Sequence, residues 1–260
     1  MRSPPEKVLL TPTAGGYLFL EGGVPYSSGV VADGDHQIVR ALLEEPVPWR
    51  QGFRLVDQHL SSVGRPRAAL CAVELRSPTQ FSFTGFAEFN AAYCAVLQEW
   101  GLYDQHGANP IARTNVVPLV GALEEPSMYG FSYTAEARPD GRLTFVTSGA
   151  GELRGDALSP DSIVSRGDRT PEGMTQKVNR VLEAITGRLD RLGASWPETT
   201  TVDVYTADLM SSVLVDAMLP RTGIALIRGV RWYPSRPPIE ELEFEMDARG
   251  VWTEIVVAIG

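Results

Sequence analysis

Asn109-Pro110-Ile111-Ala112-Arg113-Thr114-Asn115-Val116-Val117 sets an arginine at the head of a β-branched run, just after a proline. A second version of the pattern stands late in the chain, as Ala225-Leu226-Ile227-Arg228-Gly229-Val230-Arg231-Trp232. Two arginines, each launching a strand about half a chain apart, point to a duplicated module with an anion-holding site.

Outward from the first stretch, periodicity supplies the neighbours. Trp49, Phe53, Val56, Leu60 and Val63 are spaced by three or four, which predicts a helix over 49–63 closed by Gly64-Arg65-Pro66. Ala68 to Leu75 is an apolar run of strand length, and Gly85 to Trp100 a helix with Phe86, Phe89, Tyr93, Val96, Leu97 and Trp100 on one face. The short run Tyr17 to Leu20 ends in a glycine turn, Asp33 to Pro48 is mixed and broken by Pro46 and Pro48, and Tyr129 to Ala137 alternates. The order then recurs. Leu143 to Gly149 is a strand, Met174 to Leu192 a helix ending at Gly193, Thr199 to Tyr205 a β-branched strand, and Asp208 to Leu219 a short helix. The arginine run 225–232 follows as a strand, then Leu242 to Met246 and Val251 to Ile259.

The pattern of strand, helix, strand, helix, strands is thus read twice, offset by about 115 to 130 residues. It predicts an α+β chain of two tandem domains, 1–126 and 127–260, each a mixed sheet with two helices on one face. The other face of each sheet is left uncovered and calls for another copy, so a homo-oligomer is expected.

Composition bounds the function. At 260 residues, with 43% hydrophobic and 21% charged residues, the chain is a globular protein of one large domain or two ordinary ones. Its net charge of −9 argues against nucleic-acid or anionic-membrane partners, which need a basic footprint. A small anionic substrate needs only one or two local arginines. Cys71 and Cys94 form no CxxC, which fits reduced thiols in the cytoplasm. The apolar run after Met1–Lys7 is too short for a signal peptide, and none approaches a membrane span. His36, His59 and His106 have no ligand spacing, and no glycine-rich phosphate loop follows a strand, so neither a metal nor another cofactor is called for.

Several local stretches carry a resemblance. Phe86-Ala87-Glu88-Phe89-Asn90-Ala91-Ala92-Tyr93, followed by Pro110-Ile111-Ala112-Arg113-Thr114, resembles the second helix and arginine strand of the Rid (YjgF/YER057c/UK114) proteins. Phe145-Val146-Thr147-Ser148-Gly149 is similar to that family's strand ending in Ser-Gly. Val204 to Leu209 resembles its central strand and the Asp-Leu after it, and Leu242-Glu243-Phe244-Glu245-Met246 its late Glu-x-Glu strand, with Glu245 17 residues after Arg228. The resemblance implies two degenerate copies of a chorismate-mutase-like fold, usually assembled as trimers with a site in each interface. It implies hydrolysis of enamines or imines, including 2-aminomuconate-type substrates, to keto acids and ammonia. Chorismatases, which cleave an enol ether, resemble a tandem arrangement of the same fold.

Neither half matches fully. The first has Glu21-Gly22 where the family has Thr-Ser and no clear Glu-x-Glu after Arg113. The second has Ser148, Arg228 and Glu245 but lacks counterparts of Asn90 and Tyr93. A composite site, between halves or between chains, repairs this, and so does loss of one site.

Each candidate has a plain alternative beside it. Arg113 and Arg228 suit a carboxylate, since a guanidinium fork gives two parallel hydrogen bonds, but an interface ion pair uses the same group. Glu245 is a candidate catalytic residue for moving protons and activating water, or a solvated residue on the polar face of a strand. Ser148 and the Gly149 backbone suit an oxyanion, or simply end a strand in a turn. Asn90 joins the substrate-binding set, and Tyr129 or Tyr133 is a candidate proton donor or a packing residue. Cys94, on the inner face of a helix, reads as a buried thiol. The chain is read as a deaminase of Rid type, with chorismatase-like enol-ether cleavage and a non-catalytic ligand-binding module as the alternatives.

Overall fold

The computed structural model describes residues 10–103, 107–155, 158–208 and 211–259; Met1–Lys7, His106 and Leu209, considered above, lie outside them. Among the described residues four helices, α1 (Trp49–Ser62), α2 (Phe83–Glu99), α3 (Pro171–Leu192) and α4 (Ser211–Thr222), pack on one mixed sheet of thirteen strands. The strands are β1 (Thr11–Pro12), β2 (Tyr17–Leu20), β3 (Gly29–Ala32), β4 (His36–Pro48), β5 (Leu70–Arg76), β6 (Ala112–Pro118), β7 (Ser127–Glu136), β8 (Phe145–Thr147), β9 (Ala150–Gly151), β10 (Thr201–Thr206), β11 (Arg231–Arg236), β12 (Phe244–Gly250) and β13 (Thr253–Val257).

The helices form for the reasons their sequences suggest. Trp49, Phe53, Val56 and Leu60 make the buried stripe of α1. Ser82 caps α2 by accepting from the Gly85 N–H. Thr170 caps α3 in the same way, Pro171 opens it, and Gly193 ends it at φ 72°, a left-handed conformation that glycine adopts without a Cβ clash.

Strand order follows the same rule in two places. β4-β7-β5-β6 are neighbours in that order, with β5 parallel to β6; β8-β12-β10-β11 match it, with β10 parallel to β11. The two groups join where β11 pairs antiparallel with β6, at Ser235↔Pro118 and Arg236↔Val117. The sheet crosses the 126/127 boundary in both directions. β7 lies between β4 and β5, so the Tyr129–Ala137 segment belongs with the strands before it, while the β2–β3 hairpin extends β8 and β13 adds to the outside of β4. The mixed stretch 33–48 is mostly β4, whose register with β7 shifts between Leu42 and Val47. That irregularity accommodates Pro46, which has no N–H for a regular ladder.

Alternation along the strands sends Val73 and Leu75 toward α1 and α2, and Val202, Val204, Phe244 and Met246 toward α3. The opposite faces carry charge, and the two groups bury them against each other. Arg40 binds Glu74 through two hydrogen bonds of 2.7 Å and reaches Glu254 at 2.7 Å. Arg249 lies 2.9 Å from Glu74 and 3.2 Å from Asp203 without hydrogen-bond alignment, and donates to Asp247 at 2.9 Å. The faces assigned above to another copy are therefore covered within the chain, so they no longer call for a homo-oligomer; the trimer that the resemblance implies is a separate expectation.

In this interior two guanidiniums, Arg40 and Arg249, meet three carboxylates, Glu74, Asp203 and Asp247. Burial opposes ionisation of Glu74, but the charges of Arg249 and Arg40 outweigh it and hold its pKa far below the usual 4.5. Asp203 is pushed up to about 6, by burial first and by the Asp247 charge among its other causes. The depressed pKa of Glu74 gives stability that is present above pH 4.5 and lost on further acidification; the raised pKa of Asp203 acts oppositely, costing stability as pH rises toward 6. Removing one partner of a buried ion pair typically costs about 3–5 kcal/mol. Urea unfolding at pH 7 is expected to show that loss for Glu74→Gln, together with a shallower decline below pH 4.5; unchanged unfolding would refute the network's structural role.

Candidate functional site

β6 emerges from an anchored turn. The Asn109 side chain donates to Pro25 O at 2.8 Å and accepts from the Ile111 N–H, and Ser27 N–H donates to Ile111 O. The chain around Tyr26 is thereby laid against the start of the arginine strand. Arg113 follows, only 3% exposed. Its Nη2 donates to Asn90 Oδ1 on α2 at 2.6 Å, and its guanidinium lies 4.6 Å from the Tyr26 ring and 4.7 Å from that of Tyr93. Phe86 and Phe89 complete the aromatic surround at 5.5 and 5.8 Å. Nη1 is buried without a hydrogen-bond partner, and no carboxylate among the described residues lies within ion-pair distance. A buried cation held by an amide and aromatic faces, with one fork position open, is arranged for an incoming anion.

Arg113 lines a cleft with Tyr26, Phe86, Asn115, Gly149 and Glu245; the loop Pro238–Leu242 forms an apolar wall. The cleft is narrow, with a cavity volume of about 40 Å³. That wall is fixed by Gln80, whose amide donates to Pro237 O at 3.1 Å and to Ile239 O at 2.9 Å. The site is composite within one chain: Arg113 and Asn90 come from before residue 126, Gly149 and Glu245 from after it.

Glu245, on β12, is 5% exposed. Asp247 on the same face is buried as well and Glu243 is half-buried, so the solvated alternative does not hold for Glu245. Burial pushes its pKa up to about 8, helped by the charges of Asp247 and Glu152 and opposed by Arg188 and Arg113. At neutral pH this carboxyl holds a proton that it can give away. Glu152 holds the start of β12, accepting from the N–H groups of Glu243 at 2.6 Å and Phe244 at 3.2 Å, and is itself met by Lys177 at 3.3 Å.

Gly149 leaves room for Glu245. A Cβ there would overlap the Glu245 carboxylate. Its N–H donates to Arg113 O at 3.0 Å, which ties β8's end to β6 and leaves that N–H engaged rather than free for an oxyanion. Ser148 is likewise spent on the fold. Its hydroxyl donates to Ser27 O at 2.6 Å and accepts from the Arg113 N–H at 3.0 Å, so it positions the strand and does not line the cleft. Arg188 on α3 holds the same turn, donating to Ser148 O at 2.6 Å and Gly149 O at 3.2 Å. Neither Arg188 nor Tyr26 was singled out in the sequence.

The remaining candidates lie elsewhere. Arg228 is not in a strand: residues Gly223–Arg228 form a 3-10 turn between glycines at φ 52° and 80°, and β11 begins at Arg231. Its exposed side chain donates to Thr199 O at 3.0 Å beside the Trp252 ring, and its spacing from Glu245 in sequence brings no shared site. Tyr129 stacks under Arg76 at 4.1 Å and does not line the cleft; Tyr133 packs against His59 at 5.1 Å. Cys94 is buried, as its helix face predicts. No cluster of potential metal ligands occurs among the described residues, nor does a helix of membrane-spanning length and apolarity.

Carboxyl titration of Glu245 by carbon-13 NMR is expected to give a midpoint near 8, falling in Asp247→Asn as a neighbouring negative charge is removed. A midpoint near 4.5 in the wild type would remove the case for a proton-holding carboxyl. Gly149→Ala is expected to displace that carboxyl and shift its resonance, with Arg113 still in place.

The chain is similar to known proteins along nearly its whole length. It is 38% identical over 255 residues to the 2-amino-5-chloromuconate deaminase of Comamonas testosteroni, covering 97% of this chain and 100% of that one. Among solved structures it resembles a chorismatase at 14% identity and TM-score 0.48, covering 92% of this chain and 78% of that one. It also resembles the YjgF gene product of E. coli at 13% identity and TM-score 0.31, covering 42% and 80%. Residues 9–255 match the family described as 2-aminomuconate deaminase CnbZ, and the chain belongs to that family.

Proposed function

We propose that the protein deaminates a muconate-like enamine by hydrolysis, releasing a keto acid and ammonia. The observation that carries this is the buried, unpaired Nη1 of Arg113 in a cleft shared with the buried carboxyl of Glu245, whose pKa burial raises to about 8. Family membership and the 38% identical deaminase support the substrate class. The two matching strand orders support the reading of the chain as two tandem Rid-like copies that contribute one composite site.

Arg113 takes the carboxylate next to the amino-bearing carbon, its fork steadied by Asn90. Glu245 gives its proton to the distal carbon of the enamine double bond, which turns C–N into C=N. The carboxylate left behind takes a proton from water as the water oxygen bonds to the imine carbon. The same carboxyl moves the hydroxyl proton to the amine, and ammonia leaves as the C=O bond forms. Water and enamine are thus converted to keto acid and ammonia without a change of redox state. Close rings around the guanidinium exclude water from the ion pair and strengthen it.

With 2-aminomuconate as substrate, Glu245→Gln is expected to lower kcat by about 10²- to 10⁴-fold, the usual worth of a positioned proton-transfer group. Arg113→Ala is expected to lower kcat/KM by roughly 10- to 150-fold, the equivalent of a charged hydrogen bond worth about 1.5–3 kcal/mol. Arg228→Ala leaves both parameters unchanged. Because the initial step uses the protonated form of Glu245, kcat/KM falls as pH rises through about 8. A rate that climbs through that pH would exclude the acid role, and full activity in Arg113→Ala would exclude the clamp.

A further inference from the structure

The cleft contains a second buried donor without a partner. Asn115 follows Arg113 by two residues on β6, so both side chains leave the same face of the strand, while Thr114 between them points inward to Asp247. Asn115 is 3% exposed and lines the cleft. Its Oδ1 accepts from the Ser77 hydroxyl at 3.0 Å, which fixes the amide plane, and its Nδ2 is buried with no hydrogen-bond partner. A buried amide N–H left without an acceptor is costly unless a ligand supplies one. Two positions along a strand separate the residues by roughly 6.6 Å. That backbone spacing is of the order of the span between the ends of an extended six-carbon diacid, so one such molecule can lie along the strand between the two side chains. Beyond Arg113, none of the described residues lining the cleft is a cation.

We propose that Asn115 recognises the carboxylate distal to the reacting carbon, donating through Nδ2 while Arg113 holds the proximal one. This inference rests on the deaminase reading and assigns the cleft's preference for six-carbon dicarboxylates over shorter or singly charged enamines. A neutral donor suits the distal end, because a second fixed cation would hold the dianionic product as firmly as the substrate. Ser77 acts through Asn115 as a positioning residue.

The test compares two stable diene acids, trans,trans-muconate and sorbate, which differ only in a carboxylate against a methyl group at the distal end. Their Kd values are measured by calorimetry for the wild type and for Asn115→Leu and Asn115→Ala, alongside Tm. The wild type is expected to bind muconate at least 10-fold more tightly than sorbate. Both variants are expected to lose that preference through weaker muconate binding alone, with sorbate binding and Tm kept. Ser77→Ala is expected to weaken the preference partially. Retention of the preference in both Asn115 variants overturns the proposal, and so does an equal loss of both ligands, which marks a structural role. Turnover of 2-aminomuconate by the wild type is measured separately. Its absence would refute the deaminase reading, whereas turnover without any muconate preference would refute the Asn115 assignment alone.

Discussion

Asp247 is the point at which the charged interior meets the cleft. Its Oδ2 accepts from Arg249 at 2.9 Å, from the Tyr205 hydroxyl at 3.0 Å and from the Thr114 hydroxyl at 2.7 Å. Thr114 lies between Arg113 and Asn115, so this carboxylate fixes the strand that presents both donors. Asp247 also follows Glu245 by two residues, and its charge is one of the causes that keep the Glu245 carboxyl protonated. A single buried carboxylate therefore joins β6 to β12 and tunes the acid. Buried ion pairs are poor sources of net stability, because desolvation offsets their attraction. Here their consequence is geometric: they hold two sheet faces in one register.

The same interior explains why the site is built from both parts of the chain. Each group of strands alone exposes a row of charges on the face away from its helices. When the rows close on each other, the β6 end carrying Arg113 comes against the ends of β3 and β8, through Ser27, Ser148 and Gly149. Serine and glycine matter there for different reasons. The Ser148 hydroxyl bridges two backbone groups that no ladder satisfies, and Gly149 leaves room for the Glu245 carboxyl.

The helices and most strands were legible because each rests on local periodicity, and Arg113 and Asn90 were legible as separate candidates through the stretches that carry them. The role of Arg228 was not. Its apolar run reads as a strand, but glycines at positive φ on both sides turn it into a short 3-10 segment, and the real strand starts three residues later. β4 was obscured because a bulge containing Pro46 interrupts its alternation. The buried charges were not legible: the alternation that carries Glu245 and Asp247 leaves a solvated face as one alternative, since charge alternating with apolar residues looks the same whether the partner is water or another sheet. Tyr26 escaped notice because its relation to Arg113 runs through Asn109, 83 residues away in sequence.

The unpaired guanidinium imposes its own demand. Arg113 is as deeply buried as core leucines, yet only one of its outer nitrogens finds an acceptor in the protein. A fixed carboxylate at that place would have satisfied it and closed the fork to substrate. Glu245 is the one carboxylate among the described residues that line the cleft, and its raised pKa removes it at neutral pH, because a protonated carboxyl offers no charge to the arginine. The environment that makes Glu245 an acid is thus also what keeps Arg113 open. Burial and the negative neighbours Asp247 and Glu152 drive both outcomes, so the anion site and the proton source are one electrostatic arrangement rather than two.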